Sequence, residues 1–337
     1  MDIKTAINSL LNNIDLSREQ MSAVMEQIMT GQCTDAQIGG FLVGLRAKGE
    51  TVDEIAGAAQ VMRKLAKPVK IDAEHLVDIV GTGGDSAGIF NVSTASTFVA
   101  AAAGATVAKH GNRSVSSKSG SADLLEAAGV NLNLTPEQVK HCIEEVGVGF
   151  MFAVNHHAAM KYAIGPRREL GVRTVFNLLG PLTNPASVPN LLLGVFSADW
   201  VRPVAEVMRE LGASHVLVVH SADGLDEISI AAETMVAELK NGEISEYSLS
   251  PECFGFNKSR LEALKVADAI ESLAMVKTAL SNVDHPASQM VSLNAGAALY
   301  AAGVVSDLEA GVERARQVIQ SGEALAKLSE LAKVSSE

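Results

Sequence analysis

The stretch "DIVGTGGDSAGIFNVST", residues 78–94, runs from a short apolar segment into a glycine cluster, an acidic residue and a row of hydroxyls. Glycine costs backbone entropy, so Gly81, Gly83 and Gly84 need a geometric reason. One reason is a tight turn between a strand and a helix; another is a loop whose backbone amides approach a phosphate. "HLVDIV" before the stretch reads as a strand and "ASTFVAAAAG" at its end as an apolar helix. Outward from this first unit, "ATVAKH", "VGFMFA", "NLLLGVF" and "HVLVVH" are strand candidates, with "SADLLEAAG" and "TPEQVKHCIEEV" as helices between them. Such alternation predicts an α/β fold with a mostly parallel central sheet covered by helices. "MVAELKNGEISEYSLS" predicts a short antiparallel excursion turning at Asn241-Gly242. "FNLLGPLTNPAS" breaks the rhythm and reads as a crossing between subdomains.

The first seventy residues carry a different pattern. Ile3, Ile7, Leu10, Leu11 and Ile14 follow the helical period. Capping boxes at Ser17/Gln20, Thr34/Gln37 and Thr51/Glu54 mark three further helix starts, and Pro68 closes the segment. A small all-helical domain over 1–70 and a larger α/β domain over 71–337 follow from that change. The apolar faces around Ile38, Phe41, Leu42 and Leu45 are expected to serve both a core and a partner subunit.

Composition narrows the function classes. The 337 residues are 47% hydrophobic and 20% charged, a globular profile. Only 4% are aromatic and the formal charge is −12, which opposes a broad nucleic-acid footprint. Cys33, Cys142 and Cys253 fall in no ligand spacing, as expected of reduced thiols in a cytoplasmic protein. "MDIKTAINSL" lacks the basic-then-apolar pattern of a signal peptide, and the apolar run near Phe98 to Ala108 is too short to span a bilayer. No membrane partner is expected.

Ligands of an open α/β sheet bind beyond the carboxyl ends of its strands. There the chain carries "KHGNRSVSSKSGSADLLEAAG", residues 109–129, which gathers Lys109, His110, Asn112, Arg113, Ser114, Ser116, Ser117 and Lys118, with Ser121 opening a helix. Basic side chains, hydroxyls and amides at a helix start suit a phosphate or pyrophosphate, the alternative being a solvated polar loop. "NVST", Asn91 to Thr94, can cap the following helix, offer hydroxyls to a phosphate or metal, or do both. "DGLDEIS" sets Asp226 beside Glu227; such neighbours repel and suit a hard divalent cation, or else form an exposed acidic turn. Arg167 and Arg168 each offer a fork for a carboxylate or phosphate, and the residues alone leave the choice open. His156 and His157 suit packing or substrate shaping.

Together "DIVGTGGD", "FNVSTA", "KHGNRSVSSKSGSADLLEAAG", "RRELGVRTVFNLLGPLTNP" and "DGLDEIS" resemble the anthranilate phosphoribosyltransferase family, in the same order over almost the whole chain. The resemblance implies a fold of the nucleoside phosphorylase/phosphoribosyltransferase type, with helices from about 165–190 joining the N-terminal domain in a homodimer. It implies transfer of phosphoribose from phosphoribosyl pyrophosphate (PRPP) to anthranilate, in tryptophan biosynthesis, with Mg2+, two ions per subunit. By motif, Gly81, Gly84, Asp85, Ile89, Asn91, Val92, Ser93, Thr94, the run Lys109, His110, Gly111, Asn112, Arg113, Ser114, Val115, Ser116, Ser117, and then Ser121 would meet PRPP. Gly81, Asn112 and Arg167 would meet anthranilate, and Ser93, Asp226 and Glu227 would hold the metal. Ile89 departs from the family's polar residue, leaving only its backbone for a contact. No Ser-His-Asp set or activated cysteine calls for a covalent intermediate. The rival readings are a pyrimidine nucleoside phosphorylase and a nucleic-acid-binding relative without catalysis.

Overall fold

The computed structural model describes residues 1–84, 87–114, 119–281 and 283–337. Four helices come first: α1 (Ile3–Leu11), α2 (Arg18–Met29), α3 (Asp35–Lys48) and α4 (Val52–Leu65). The last three start on the three capping boxes, each with both reciprocal bonds formed. α1 stops short of Ile14. Asn13 there adopts a left-handed φ of 55°, a turn conformation asparagine tolerates, and Leu11 and Ile14 stay exposed. Ile38, Phe41, Leu42 and Leu45 are at most 1% exposed, so these four are core within the chain and leave no face for a partner.

The rest of the chain alternates as its pattern requires. In order come β1 (Leu76–Gly81), α5 (Val92–Ala102), β2 (Thr106–Gly111), α6 (Ser121–Ala127), α7 (Pro136–Val146), β3 (Val148–Phe152), α8 (Ala153–His156), α9 (Lys161–Leu170) and α10 (Phe176–Leu182). Then follow β4 (Asn190–Gly194), α11 (Val201–Glu210), β5 (His215–Ser221), β6 (Thr234–Lys240), β7 (Glu243–Leu249), α12 (Ala269–Ala279), α13 (Pro286–Ala301), α14 (Leu308–Ser321) and α15 (Glu323–Val334). The seven strands lie in the order β3-β2-β1-β4-β5-β6-β7. β1 to β5 run parallel, while β6 and β7 are antiparallel. The β6–β7 turn has positive φ at both Asn241 (54°) and Gly242 (83°), the primed turn that Asn-Gly favours. The crossing segment contains α10, which packs on α4, while α9 packs on α2 and α3.

Strand order reverses between β1 and β4, and in an open sheet the crevice that takes a ligand lies outside the carboxyl ends of the strands at that point. β1 and β4 are in register there, Gly81 opposite Gly194. Both glycines are needed for space. A Cβ on Gly81 would lie 2.3 Å from Asp226 Oδ2, and one on Gly194 1.6 Å from the Asp226 carbonyl oxygen. The acidic loop therefore lies directly against the ends of both strands.

Away from the crevice, a polar cluster fixes the antiparallel edge. Glu238 of β6 accepts hydrogen bonds from the Tyr247 and Tyr300 hydroxyls at 2.8 Å each, with His215 Nε2 also at 2.8 Å. Burial alone would raise its pKa, but the bonds from His215, Tyr247 and Tyr300 outweigh it and hold the carboxyl down at about 2. A depressed carboxyl stabilises the fold above its unfolded pKa, and that contribution is lost as pH falls through the folded value. Wild-type protein should therefore lose up to about 3 kcal/mol between pH 4.5 and 2 that a Glu238→Gln variant does not lose. Denaturant midpoints measured across that range check the difference, and parallel curves for the two proteins would refute it.

Candidate functional site

The loops at the crevice are tied to one another by hydrogen bonds through the acidic segment. Gly83 N–H donates to Asp226 Oδ2 at 2.7 Å, and Ser93 N–H donates to Glu227 Oε1 at 3.1 Å. Asp226 is 8% exposed and Glu227 half-buried. The adjacent carboxylates are thus bound by two different backbone amides, one in the glycine loop and one in the first turn of α5. The Ser93 backbone and the Glu227 side chain are thereby brought together. The donors are hard oxygens, two carboxylates and a hydroxyl, which fits a divalent cation such as magnesium completed by phosphate oxygens and water. Among the described residues no cluster of three or more His, Cys, Asp or Glu side chains could hold a metal by itself.

"NVST" begins a helix without capping it through a side chain: Asn91 is the N-cap but makes no such bond. Its amide is used across the crevice instead. Asn91 Nδ2 donates to the Ser119 carbonyl at 3.0 Å, and its Oδ1 accepts from the Ser119 and Ser272 hydroxyls at 3.0 and 2.7 Å. Thr94 Oγ1 donates to Ser121 Oγ at 3.1 Å, a second tie between these loops. Val92 is buried in the first turn of α5. Ile89 bridges Lys265, with Phe90 N–H donating to Leu264 O at 3.0 Å and Val266 N–H to Gly88 O at 3.0 Å.

The basic loop is less uniform than its composition suggests. Lys109 is 2% exposed and its ammonium donates to the Ile79 carbonyl at 2.5 Å. Burial lowers its pKa against the pull of Asp78 and Glu227. Asp78 in turn is fully buried and accepts from Asn184 Nδ2 at 2.7 Å. Burial pushes its pKa up to about 6. His110 donates its backbone N–H to Asp78, and its ring lies 5.1 Å from that of His157. Burial holds His110 well below its usual pKa and His157 down at about 4, so both rings are neutral near pH 7. The Nε2 atoms of both rings are buried without a partner among the described residues. His156 is similar: its Nδ1 lies 2.9 Å from the Lys67 carbonyl, and its Nε2 is likewise buried without a partner among the described residues.

Gly111 ends β2, and a Cβ there would press on Phe150 at 2.9 Å. Asn112 is exposed, its Oδ1 accepting from Arg113 N–H at 2.8 Å. Arg113 is engaged by Asp123 at 3.0 Å and Glu126 at 2.8 Å, and Ser114 N–H donates to Asp123 at 3.2 Å. Asp85, Val115, Ser116, Ser117 and Lys118 lie outside the described residues.

The two neighbouring arginines separate clearly. Arg167 is half-buried with its guanidinium 5.1 Å from the centre of the Phe176 ring, and burial lowers its pKa. Arg168 is exposed. A third arginine, Arg173, was not read as functional from the sequence. Its Nη2 donates to the Gly84 carbonyl, and its Cζ lies 4.4 Å from the Phe196 ring centre. Gly194 was also missed, although a glycine inside an apolar strand is a signal of close backbone approach.

A glycine loop, a hydroxyl-rich helix start and a carboxylate pair meeting at the switch point suit a transferase of phosphorylated sugars. The helical bundle domain of the glycosyl transferase family matches residues 4–66, and its a/b domain matches 73–325. Among curated proteins, the anthranilate phosphoribosyltransferase of Stutzerimonas stutzeri is 62% identical over 335 residues, 98% of this chain and 96% of its own. The crystal structure of the Thermus thermophilus enzyme of that name superposes with a TM-score of 0.93 at 44% identity, covering 98% of this chain and 99% of that one. The Saccharomyces cerevisiae enzyme in complex with PRPP and Mg superposes with a TM-score of 0.90 at 26% identity, covering 99% and 98%. The chain belongs to the anthranilate phosphoribosyltransferase family. It is a pentosyltransferase of tryptophan biosynthesis, moving phosphoribose from PRPP to the amine of anthranilate.

Proposed function

We propose that the crevice beyond β1 and β4 is where this chain carries out that transfer. The observation that carries the assignment is the pair of backbone bonds that hold Asp226 against the glycine loop and Glu227 against the start of α5. PRPP would meet the amides of Gly81 and Gly84, the hydroxyls of Ser93, Thr94 and Ser121, and the loop Lys109 to Ser117. Anthranilate would sit toward Gly81, Asn112 and Arg167. Magnesium, held by Ser93, Asp226 and Glu227 with two ions per subunit, would neutralise the departing pyrophosphate.

The protein's own groups then act by position and electrostatics. The aromatic amine of anthranilate is neutral at pH 7 and needs orientation more than deprotonation. The neutral rings of His110 and His157 add no positive charge beside a ribose carbon that becomes cationic as its leaving group departs. The whole-chain family match and the carboxylate pair set this reading above a pyrimidine phosphorylase or a non-catalytic nucleic-acid binder. Mixing the protein with PRPP, magnesium and anthranilate and following loss of anthranilate fluorescence tests it; absence of turnover would refute it.

Arg167→Ala should raise the anthranilate KM by roughly ten- to a hundredfold, the cost of one charge-assisted hydrogen bond, and change the PRPP KM much less. A parallel Arg168→Ala titration checks the choice: the effect moving to Arg168 would show the wrong arginine was chosen.

A homodimer, a division at residues 70/71 and a cytoplasmic location belong to the same proposal. Val43 of α3 and Ile164 of α9, each 46% exposed, supply apolar surface for the dimer on two helices that pack together. Free thiols at Cys33, Cys142 and Cys253 suit a reducing compartment. No helix among the described residues is long and apolar enough to cross a membrane.

A further inference from the structure

We propose that Arg173 is a positioning residue that latches the glycine loop to the N-terminal helices and so sets how tightly PRPP is held. The proposal rests on the reading above, in which the loop after β1 meets PRPP.

Arg173 lies between α9 and α10, two residues past Gly171, whose left-handed φ of 61° ends α9. Three contacts meet on this one residue. Its guanidinium donates from Nη2 to the carbonyl of Gly84. The same guanidinium stacks on Phe196, just beyond β4. Its own carbonyl accepts from Arg46 Nη1 of α3. A planar guanidinium can lay its face on a ring while its edge donates in the plane; a lysine ammonium cannot do both.

The target of the latch is a segment that needs one. Gly83 and Gly84 both have positive φ, 65° and 81°, and glycines lose more freedom on ordering than any other residue. A hydrogen bond that orders the loop beforehand removes part of that cost from ligand binding. Arg173 supplies it on the side of the helical domain, while Asp226 supplies another through Gly83 N–H. The path from Arg46 through Arg173 to Gly84 joins α3, the α9–α10 connection and the sheet edge. Arg173 lies only six residues after Arg167, so the residue proposed for the carboxylate and the one proposed to hold the glycine loop share one stretch of chain.

The test is a set of steady-state titrations on the full-length enzyme. Arg173→Ala should raise the PRPP KM by about tenfold. Its kcat, its anthranilate KM and its melting temperature should stay close to wild type, a split that a general packing defect would not give. Arg173→Lys should recover only part of the loss. Arg46→Ala should move the same constant in the same direction, less than additively with Arg173→Ala. Gly84→Ala, strained at φ 81°, perturbs the loop directly and should raise the PRPP KM.

An unchanged PRPP KM in Arg173→Ala overturns the latch. If Gly84→Ala still raises it, the loop reading stands and only the latch falls; if neither variant does, both fall. Equal rises in both Michaelis constants, or a lowered melting temperature, would make Arg173 a packing residue and also overturn the proposal. Should Arg173→Ala fail to fold, Arg173→Lys and Arg46→Ala carry the same comparison.

Discussion

Replacing Asp226 and Glu227 together by alanine should abolish magnesium-dependent turnover while the protein stays folded. The two side chains do not act as a surface charge cluster: Asp226 is buried against Gly81 and Gly194, and each carboxylate takes a backbone amide from a different loop. Side-by-side carboxylates need a compensating cation, and a phosphorylated substrate brings further negative charge to the same place. Loss of several kcal/mol of charge stabilisation corresponds to roughly a thousandfold or more in rate. The fold should persist because the sheet register of β1, β4 and β5 does not run through these side chains. Initial rates over a magnesium titration, with circular dichroism as the control, decide the matter. Full activity in the double variant would remove the metal assignment.

The second large effect comes from a single methyl group. Gly194→Ala places a Cβ 1.6 Å from the Asp226 carbonyl oxygen and 2.5 Å from its carbon, far inside contact distance. Gly194 does not have a left-handed φ, so the cost comes from lost space rather than backbone strain. The acidic segment cannot yield sideways, because the Asp226 carboxylate is already seated over Gly81, whose own Cβ position is 2.3 Å from Oδ2. It must move away from the sheet and take the carboxylates with it. A displacement near 1 Å at a reacting centre costs on the order of a hundredfold in kcat/KM. Kinetics at saturating magnesium, with a melting curve to gauge the damage to the fold, measure it. Activity within about twofold of wild type would show that the loop accommodates the methyl without moving the site.

Legibility in the sequence followed the range of the interactions. Capping boxes join residues three apart, so Ser17, Thr34 and Thr51 announced α2, α3 and α4 directly. Asn241-Gly242 fixed a hairpin turn by its backbone preference, and short apolar runs marked strands buried on both faces. The carboxyl-edge rule then grouped "GTGGD", "KHGNRS" and "DGLDEIS" at one end of the sheet. What the chain's pattern did not carry was who touches whom. Gly194 serves Asp226, Arg173 serves Gly84 and Ser272 serves Asn91, pairs separated by 32, 89 and 181 positions. Lys109 reads as a phosphate ligand by composition, yet its buried ammonium donates to the Ile79 carbonyl, a partner 30 positions away that composition does not announce. Ile38, Phe41, Leu42 and Leu45 show the same limit: an apolar helix face looks alike whether it meets its own chain or another.

The sheet ends differently on its two sides. β3 is buried along its whole length, whereas β7 is exposed at most positions and has no strand beyond it. An open strand of seven residues is a template on which any extended chain can add, the first step toward fibrils. Here it bears Glu243 and Glu246 in a chain that is already net negative, and Glu246 is paired at 2.7 Å with Arg202 of α11. An approaching copy would have to set like charges opposite one another along the new ladder. The charged residues of β7 thus oppose the addition of a further strand at this edge of the sheet.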